Sequence, residues 1–274
     1  MSYRKIAVFP LIWAAFFIAL AVVVPADARK ALFITQTDLS KGLATVGCFI
    51  ASYAFERGAY MRRAWSFNAW CYLLLLLRDL AINTFPPDAT LFGMKNVALA
   101  GGLVFVANIA SCVGTAMMAR AWTTAGLVLP GSLSARIGVV AVAILLAIGI
   151  SGSDLLVDGR ALLGGDLASM HSVASDLGDI IGLALIAPVL LTAIAMRGGV
   201  LTWPWAFMTV SLVCWLLYDA ISIIEHFLPG HEVAARVVRE SFRTLACATE
   251  CAAGLLQQRV ITAPIDAEDA PAAE

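Results

Sequence analysis

The sequence is short of charge. Only 14% of its 274 residues are Asp, Glu, Lys or Arg, whereas an ordinary soluble domain has about 25%. Hydrophobic residues make up 61%, so a soluble protein of this composition would leave much apolar surface in water. The same content excludes disorder over most of the chain, because disordered segments combine low hydrophobicity with high net charge. The composition therefore predicts a polytopic membrane protein.

Several chemical signatures are also missing from the sequence. The net charge is −1 and no basic stripe runs along the chain, which argues against nucleic acid as a partner. The six cysteines include no CxxC pair and all lie in apolar stretches, so we interpret them as buried free thiols. No glycine-rich phosphate loop of the P-loop or GxGxxG kind occurs. The sequence thus points to no particular cofactor.

Eight apolar segments have about the length, roughly 20 residues, that a membrane-spanning helix needs. Proline and glycine mark the breaks between them. The pattern predicts an all-α, polytopic membrane helix bundle with eight transmembrane helices in a single domain, residues 1–260, followed by an acidic disordered tail, residues 261–274. The eight segments are Ile6–Val24, Leu39–Phe55, Ala64–Asn83, Asn96–Ala119, Arg136–Gly152, Val173–Met196, Leu201–Ile224 and Val237–Val260.

The first segment has a second interpretation. Arg4 and Lys5 precede its apolar run, and Pro25-Ala26-Asp27-Ala28 follows it, as in a signal peptide with an A-x-A cleavage site. Its apolar run of about 19 residues exceeds the 7–15 of a typical signal peptide. The length favours a retained helix, whereas cleavage would leave seven helices and the same topology for the rest.

The last segment, Val237–Val260, is amphipathic. Glu240, Arg243 and Glu250 recur near helical spacing and face away from an apolar side. Such a helix either packs its polar face into the bundle or lies on the membrane surface. We predict that it spans the membrane, because the run Leu245–Leu256 contains a single charged residue.

The basic residues of the loops predict an orientation. With the N-terminus inside, nine Lys and Arg fall in inside loops and ends and five, including Lys41, fall in outside ones. Basic residues in short loops favour the cytoplasm. Residues Ser153–Ser172 are then an outside loop with three aspartates and one arginine. We predict that both termini are cytoplasmic and that the membrane is a bacterial inner (plasma) membrane.

Charged residues within the segments are concentrated in one layer. A charge in hydrocarbon is costly, so it usually faces the bundle interior or a cavity and often marks function. At 1.5 Å per residue, most of these residues lie roughly 8–12 Å below the outer surface, and one glutamate lies deeper. Five acids and two bases make the layer net acidic. The candidate ligand or ion-network residues are Arg78, Asp79, Asp176, Asp179, Asp219, Arg243 and Glu250.

Two interpretations of this layer stay open. It is either a structural ion network that fixes the packing of the helices, or an open acidic pocket for a ligand, cation or proton. Glu250 has no predicted basic neighbour, since Arg243 is seven residues, about 10 Å, away along the helix. We expect a neutral Glu250 that faces the bundle and forms a hydrogen bond. His226 and His231 are weak candidates for a metal site, because imidazole suits zinc but their spacing matches no metal motif.

Pairs of small residues four apart predict close contacts between helices. Gly178 and Gly182 form such a pair in the sixth segment, and Ala110 and Gly114 form one in the fourth. Small side chains at this spacing let two helix backbones approach each other.

These patterns favour a sensory or accessory membrane module. It would bind a small ligand, a lipid or a partner membrane protein through the polar layer, and it would need a separate output protein, because no kinase or cyclase domain follows. One alternative is a cation- or proton-linked small-solute transporter. A second alternative is an intramembrane enzyme, for which the sequence offers no convincing nucleophile or metal set.

Overall fold

The computed structural model describes residues 3–124, 129–166, 169–197, 199–225 and 230–262. This part of the chain holds eight helices and one two-stranded hairpin, so the all-α helical bundle is confirmed. The predicted acidic tail lies outside the described residues from position 263 onward. The helices are α1 (Tyr3–Val23), α2 (Arg29–Ala54), α3 (Tyr60–Thr84), α4 (Asn96–Thr124), α5 (Leu133–Leu163), α6 (Met170–Ala195), α7 (Thr202–Glu225) and α8 (Glu232–Thr262).

The hairpin lies between α3 and α4. Its strands β1 (Thr90–Leu91) and β2 (Met94–Lys95) pair antiparallel. The two residues between them, Phe92 and Gly93, both have positive φ angles of 51° and 81°, as the tight turn of a two-residue hairpin requires.

Five of the described helices are long and apolar enough to cross a membrane. They are α1, α4, α5, α6 and α7. Large apolar side chains on α1 and α5 stay exposed, among them Leu11, Val22 and Leu145, and an apolar surface of this kind needs a lipid or protein cover. The other three helices, α2, α3 and α8, are more polar. Length and composition therefore support five spans, and the predicted total of eight stays a prediction.

Six helices form a closed ring. In order around the ring, α2, α3, α4, α6, α7 and α8 each contact the next helix, and α8 contacts α2. Outside the ring, α1 packs on α8 and α5 packs on α6. The neighbours α2 and α8 run parallel, because Thr37 contacts Arg243 and, farther along both helices, Gly47 approaches Cys251. We call the end of the bundle at which α2 and α8 begin the upper end.

α8 is a central helix of the bundle. It contacts α1, α2 and α7, and its polar residues Glu240, Thr244, Glu250 and Gln257 are all buried. This burial agrees with a polar face that packs into the bundle rather than with a helix that lies on a membrane surface.

Two helix boundaries derived from hydropathy are wrong. α2 begins at Arg29 instead of Leu39, which moves Lys41 from an outside end to the middle of a helix. α5 continues to Leu163 instead of Gly152, so much of the predicted loop is helical. The extra turns contain polar and charged residues that a hydropathy window rejects, although a helix satisfies its backbone hydrogen bonds whatever its side chains are.

The cysteines pack as the sequence predicts. None of the six forms a disulfide in the described residues, and five of them are buried. Cys48 of α2 and Cys247 of α8, both fully buried, belong to the main apolar core, to which all six ring helices contribute.

Candidate functional site

A cavity of about 250 Å³, with both charged and apolar side chains in its lining, lies inside the ring. All six ring helices contribute to its lining. The lining residues of α3 extend from Asn68 to Arg78. At 1.5 Å per residue, those ten steps along the helix make the cavity about 15 Å long. Its charged lining residues are Lys41, Arg78, Asp219, Arg243 and Glu250.

Lys41 of α2 and Asp79 of α3 form a buried ion pair. Their side chains are only 4% and 6% exposed. The other carboxylate oxygen of Asp79 accepts a hydrogen bond from Nη1 of Arg78 at 2.7 Å. The carboxylate of Asp79, which lies behind the cavity wall, therefore pairs with both Lys41 and Arg78. This pairing offsets the cost of burying the three charges. Two of the residues singled out from the sequence as ion-network candidates, Arg78 and Asp79, are therefore paired with each other.

Arg243 of α8 connects three helices at the same level. Its guanidinium pairs with Glu240 on α8 itself and donates a hydrogen bond of 2.6 Å to the hydroxyl of Thr37 on α2. Its Cζ atom lies 5.3 Å from the ring centroid of Tyr218 on α7, within the range of a cation–π interaction. Glu240 is also 4.0 Å from Arg239, so this second carboxylate is likewise shared by two cations.

Two cavity-lining guanidinium groups each have an unused donor. The Nε atoms of Arg78 and Arg243 are buried, and neither has a hydrogen-bond partner among the described residues. A buried donor without an acceptor costs about 1–3 kcal/mol. Both Nε atoms are enclosed by the protein, so the cavity contacts these arginines through other atoms of their side chains.

Glu250 lies toward the lower end of the cavity, seven residues beyond Arg243 on α8. Its side chain is buried inside the bundle, as predicted, and its Oε1 accepts a contact of 3.7 Å from the thiol of Cys48 on α2. Tyr72 of α3 and Trp215 of α7 also line this space. Nε1 of Trp215 donates a hydrogen bond of 3.2 Å to the hydroxyl of Tyr72, which connects opposite sides of the ring.

The predicted site residues divide into those near the cavity and those elsewhere. Arg78, Asp219, Arg243 and Glu250 line it, and Asp79 lies directly behind the wall. Asp176 of α6 is not part of the lining, and its charged neighbours are aspartates of α5 at positions 154 and 158. The side chain of Asp179 and the whole of His226 lie outside the described residues, whereas His231 is exposed at the start of α8.

Lys41 and Glu240 are absent from the candidate residues derived from the sequence, although Glu240 belongs to the predicted polar stripe of the last segment. Lys41 follows Thr37 by four residues and precedes Thr45 by four, so all three lie on one face of α2. This buried polar stripe is the available signal, but the predicted segment Leu39–Phe55 leaves Thr37 outside and has Lys41 at its outer end. With Lys41 included, the described lining has three basic and two acidic side chains. The description of the layer as net acidic therefore does not apply to the cavity surface.

No protein-family model, curated protein or solved structure matches the chain.

Proposed function

We propose that the protein is an integral membrane module that binds a small solute in the cavity of its helix ring and acts as a sensor or accessory subunit. The observation that carries this proposal is a charged cavity to which all six ring helices contribute. A purely structural ion network would be closely packed, as protein interiors are. Here about 250 Å³ stays open, which is room for roughly eight waters at about 30 Å³ each or for one small organic molecule.

In this proposal all eight helices cross a bacterial inner membrane and both termini are cytoplasmic. The five apolar helices can face lipid directly, and α1 and α5 have the exposed apolar surface for it. Several polar side chains of α2, α3 and α8, among them Lys41, Asn68 and Arg243, line the cavity inside the ring, where charged groups in membrane proteins are usually found. The upper end with its cations is then the end near the outer surface, so the solute enters from outside the cell.

Transport of the solute is the second candidate function. Transporter sites commonly lie between repeated halves and use helices that are broken at the membrane midplane. The helical segments that line this cavity are continuous in the structure, and this continuity favours a fixed binding site. Glu250, buried at the lower end of the cavity, is the group that a proton-linked transporter would use.

Gly182 of α6 provides a test of the binding site. It lines the cavity, and a Cβ atom at this position would have no atom within 4 Å. Gly182→Leu should therefore fold and fill part of the cavity. Gly102 of α4 is the matched control, because its Cβ would also meet open space but the residue does not line the cavity.

The experiment measures thermal unfolding of the purified protein in lipid nanodiscs against a library of small polar solutes. Any solute that binds the folded state raises the unfolding temperature by mass action. We expect at least one solute to stabilise the wild type and Gly102→Leu but not Gly182→Leu. The binding site is somewhere else if the same solutes also stabilise Gly182→Leu.

Uptake into proteoliposomes distinguishes the two candidate functions. A sensor or accessory module should bind the identified solute without accumulating it inside the vesicles. Accumulation by the wild type, and its loss in Glu250→Gln, would favour the proton-linked transporter.

A further inference from the structure

We propose that the solute is a small organic anion whose carboxylate is held at the upper end of the cavity by Lys41, Arg78 and Arg243. This inference rests on the proposed function, because it names the chemical class of the ligand for the same cavity.

Three cations from three helices meet at this end of the cavity. Lys41 and Arg78 contact the two oxygens of the same carboxylate, that of Asp79, so their charged groups are close together. Arg243 donates a hydrogen bond to Thr37, one helical turn before Lys41 on α2, which places it beside them. All three side chains are also part of the cavity lining.

The cavity lining at this end favours an anion over a cation, because three basic side chains line it together with one carboxylate, that of Asp219. Asp38 is an electrostatic neighbour of Lys41 and Arg243 but is not part of the lining. Each of the two carboxylates that pair with these cations, Asp79 and Glu240, is already shared by two basic groups. A bound cation would have to compete with those groups and approach three positive charges. A carboxylate instead would accept charge-assisted hydrogen bonds, which are about twice as strong as neutral ones.

The remaining lining favours an organic anion over an inorganic one. Leu75, Leu212, Trp215 and Leu216 also line the cavity. Bare phosphate or chloride would leave these apolar groups in contact with water, whereas an alkyl or aryl body would bury them, and small-molecule sites combine such a lining with a few polar anchors. A volume of about 250 Å³ restricts the ligand to a small molecule.

Binding can be measured with four classes of probe on the wild-type protein in nanodiscs. The probes are straight-chain carboxylates from acetate to hexanoate, the amides of the same lengths, the corresponding alkylammonium ions, and inorganic phosphate. We expect the carboxylates to bind best and their affinity to rise with chain length until the cavity is full. We expect the neutral amides, which have the same shape, to bind at least about 10-fold more weakly, since they lose the ionic hydrogen bonds.

Variants of two arginines then locate the anion. Arg78→Gln removes one lining cation but leaves the ion pair between Lys41 and Asp79 in place, and it should weaken carboxylate binding about 10-fold or more. Arg160→Gln, on the exposed side of α5, is the control and should leave binding unchanged. The comparison of carboxylate with amide needs no variant, so it decides the ligand class even if Arg78→Gln does not fold.

The outcomes separate this inference from the function on which it depends. If amides or alkylammonium ions bind as well as carboxylates and lose binding in Gly182→Leu, the proposed preference for an anion is wrong. The proposed binding site in the cavity would still hold. If phosphate binds as tightly as hexanoate, the proposal that the ligand has an apolar organic part is wrong. If carboxylate binding persists in Gly182→Leu, the binding site is not in this cavity. If no carboxylate binds, the proposed ligand class is wrong.

Discussion

A Cβ atom on Gly47 of α2 would lie 2.6 Å from the Cα atom of Cys251 on α8. Across the same contact, a Cβ atom on Gly254 would collide with the carbonyl oxygen of Gly47. The two helices therefore meet backbone against backbone, as small residues permit. This contact closes the ring between two segments that are about 200 residues apart in the sequence.

Gly47→Ala should destabilise the protein by about 1–3 kcal/mol, the usual cost of extra atoms in a packed core. Gly42→Ala is a matched control on the same helix, because its Cβ would lie an ordinary 4.0 Å from Cδ2 of Leu76. Thermal unfolding of both variants in nanodiscs measures the difference. Equal unfolding temperatures would show that α2 and α8 are not in backbone contact.

Gly178→Ala and Gly182→Ala should have opposite effects, although both glycines belong to one predicted packing pair on α6. A Cβ atom on Gly178 would collide with the side chain of Asn108, so we expect lower stability. A Cβ atom on Gly182 would enter open space, so we expect a gain of about 0.5–1 kcal/mol from better helix propensity. The same unfolding assay checks the signs, and a loss of stability in Gly182→Ala would contradict an open cavity at that position.

Loss of Asp79 should cost more than loss of Lys41. Lys41→Met leaves Asp79 with Arg78 as a partner, whereas Asp79→Asn leaves both basic groups without their shared counter-ion. Breaking a buried ion pair typically costs about 3–5 kcal/mol. We expect Asp79→Asn to reach that range and Lys41→Met to fall below it.

A double-mutant cycle tests the pairing directly. Lys41→Met combined with Asp79→Asn should cost less than the sum of the two single changes, since the double variant has no stranded charge between α2 and α3. Strict additivity of the two free energies of unfolding would argue against the ion pair.

Glu250→Gln should preserve the fold. Glutamine has the same shape, and its amide oxygen can accept the contact from the Cys48 thiol. The infrared difference between the wild type and this variant should contain the C=O band of a neutral carboxylic acid. A fully ionised carboxylate band at pH 5 would mean instead that a cation or a water-filled path reaches Glu250.

Local properties of the sequence predicted the helices but not their arrangement. Hydropathy is read along one segment, so the apolar runs of α1, α4, α5, α6 and α7 were all found. The ring order was not predicted, because the contacts of α2 with α8 and of α4 with α6 join segments that are distant in sequence.

Lys41 shows why part of the site escaped prediction. Its charge is tolerated inside α2 only because Asp79 lies opposite on α3, and a window along α2 contains no sign of that partner. Arg78, Arg243 and Glu250 were easier to find, since each is a charge within an apolar run. The depth estimate then placed two of them in one layer and Glu250 below it, in agreement with the cavity.

α8 runs without a break from Glu232 to Thr262 and contains no proline. From Arg243, at the end of the cavity where the cations meet, nineteen residues continue to the opposite end of the bundle, a distance of about 28 Å. A helix of this kind moves as one body, so a tilt or axial shift imposed by an occupant beside Arg243 would be delivered at Thr262. In the proposed orientation, α8 would then connect the solute-binding end of the bundle with the end at which an output protein would have to bind.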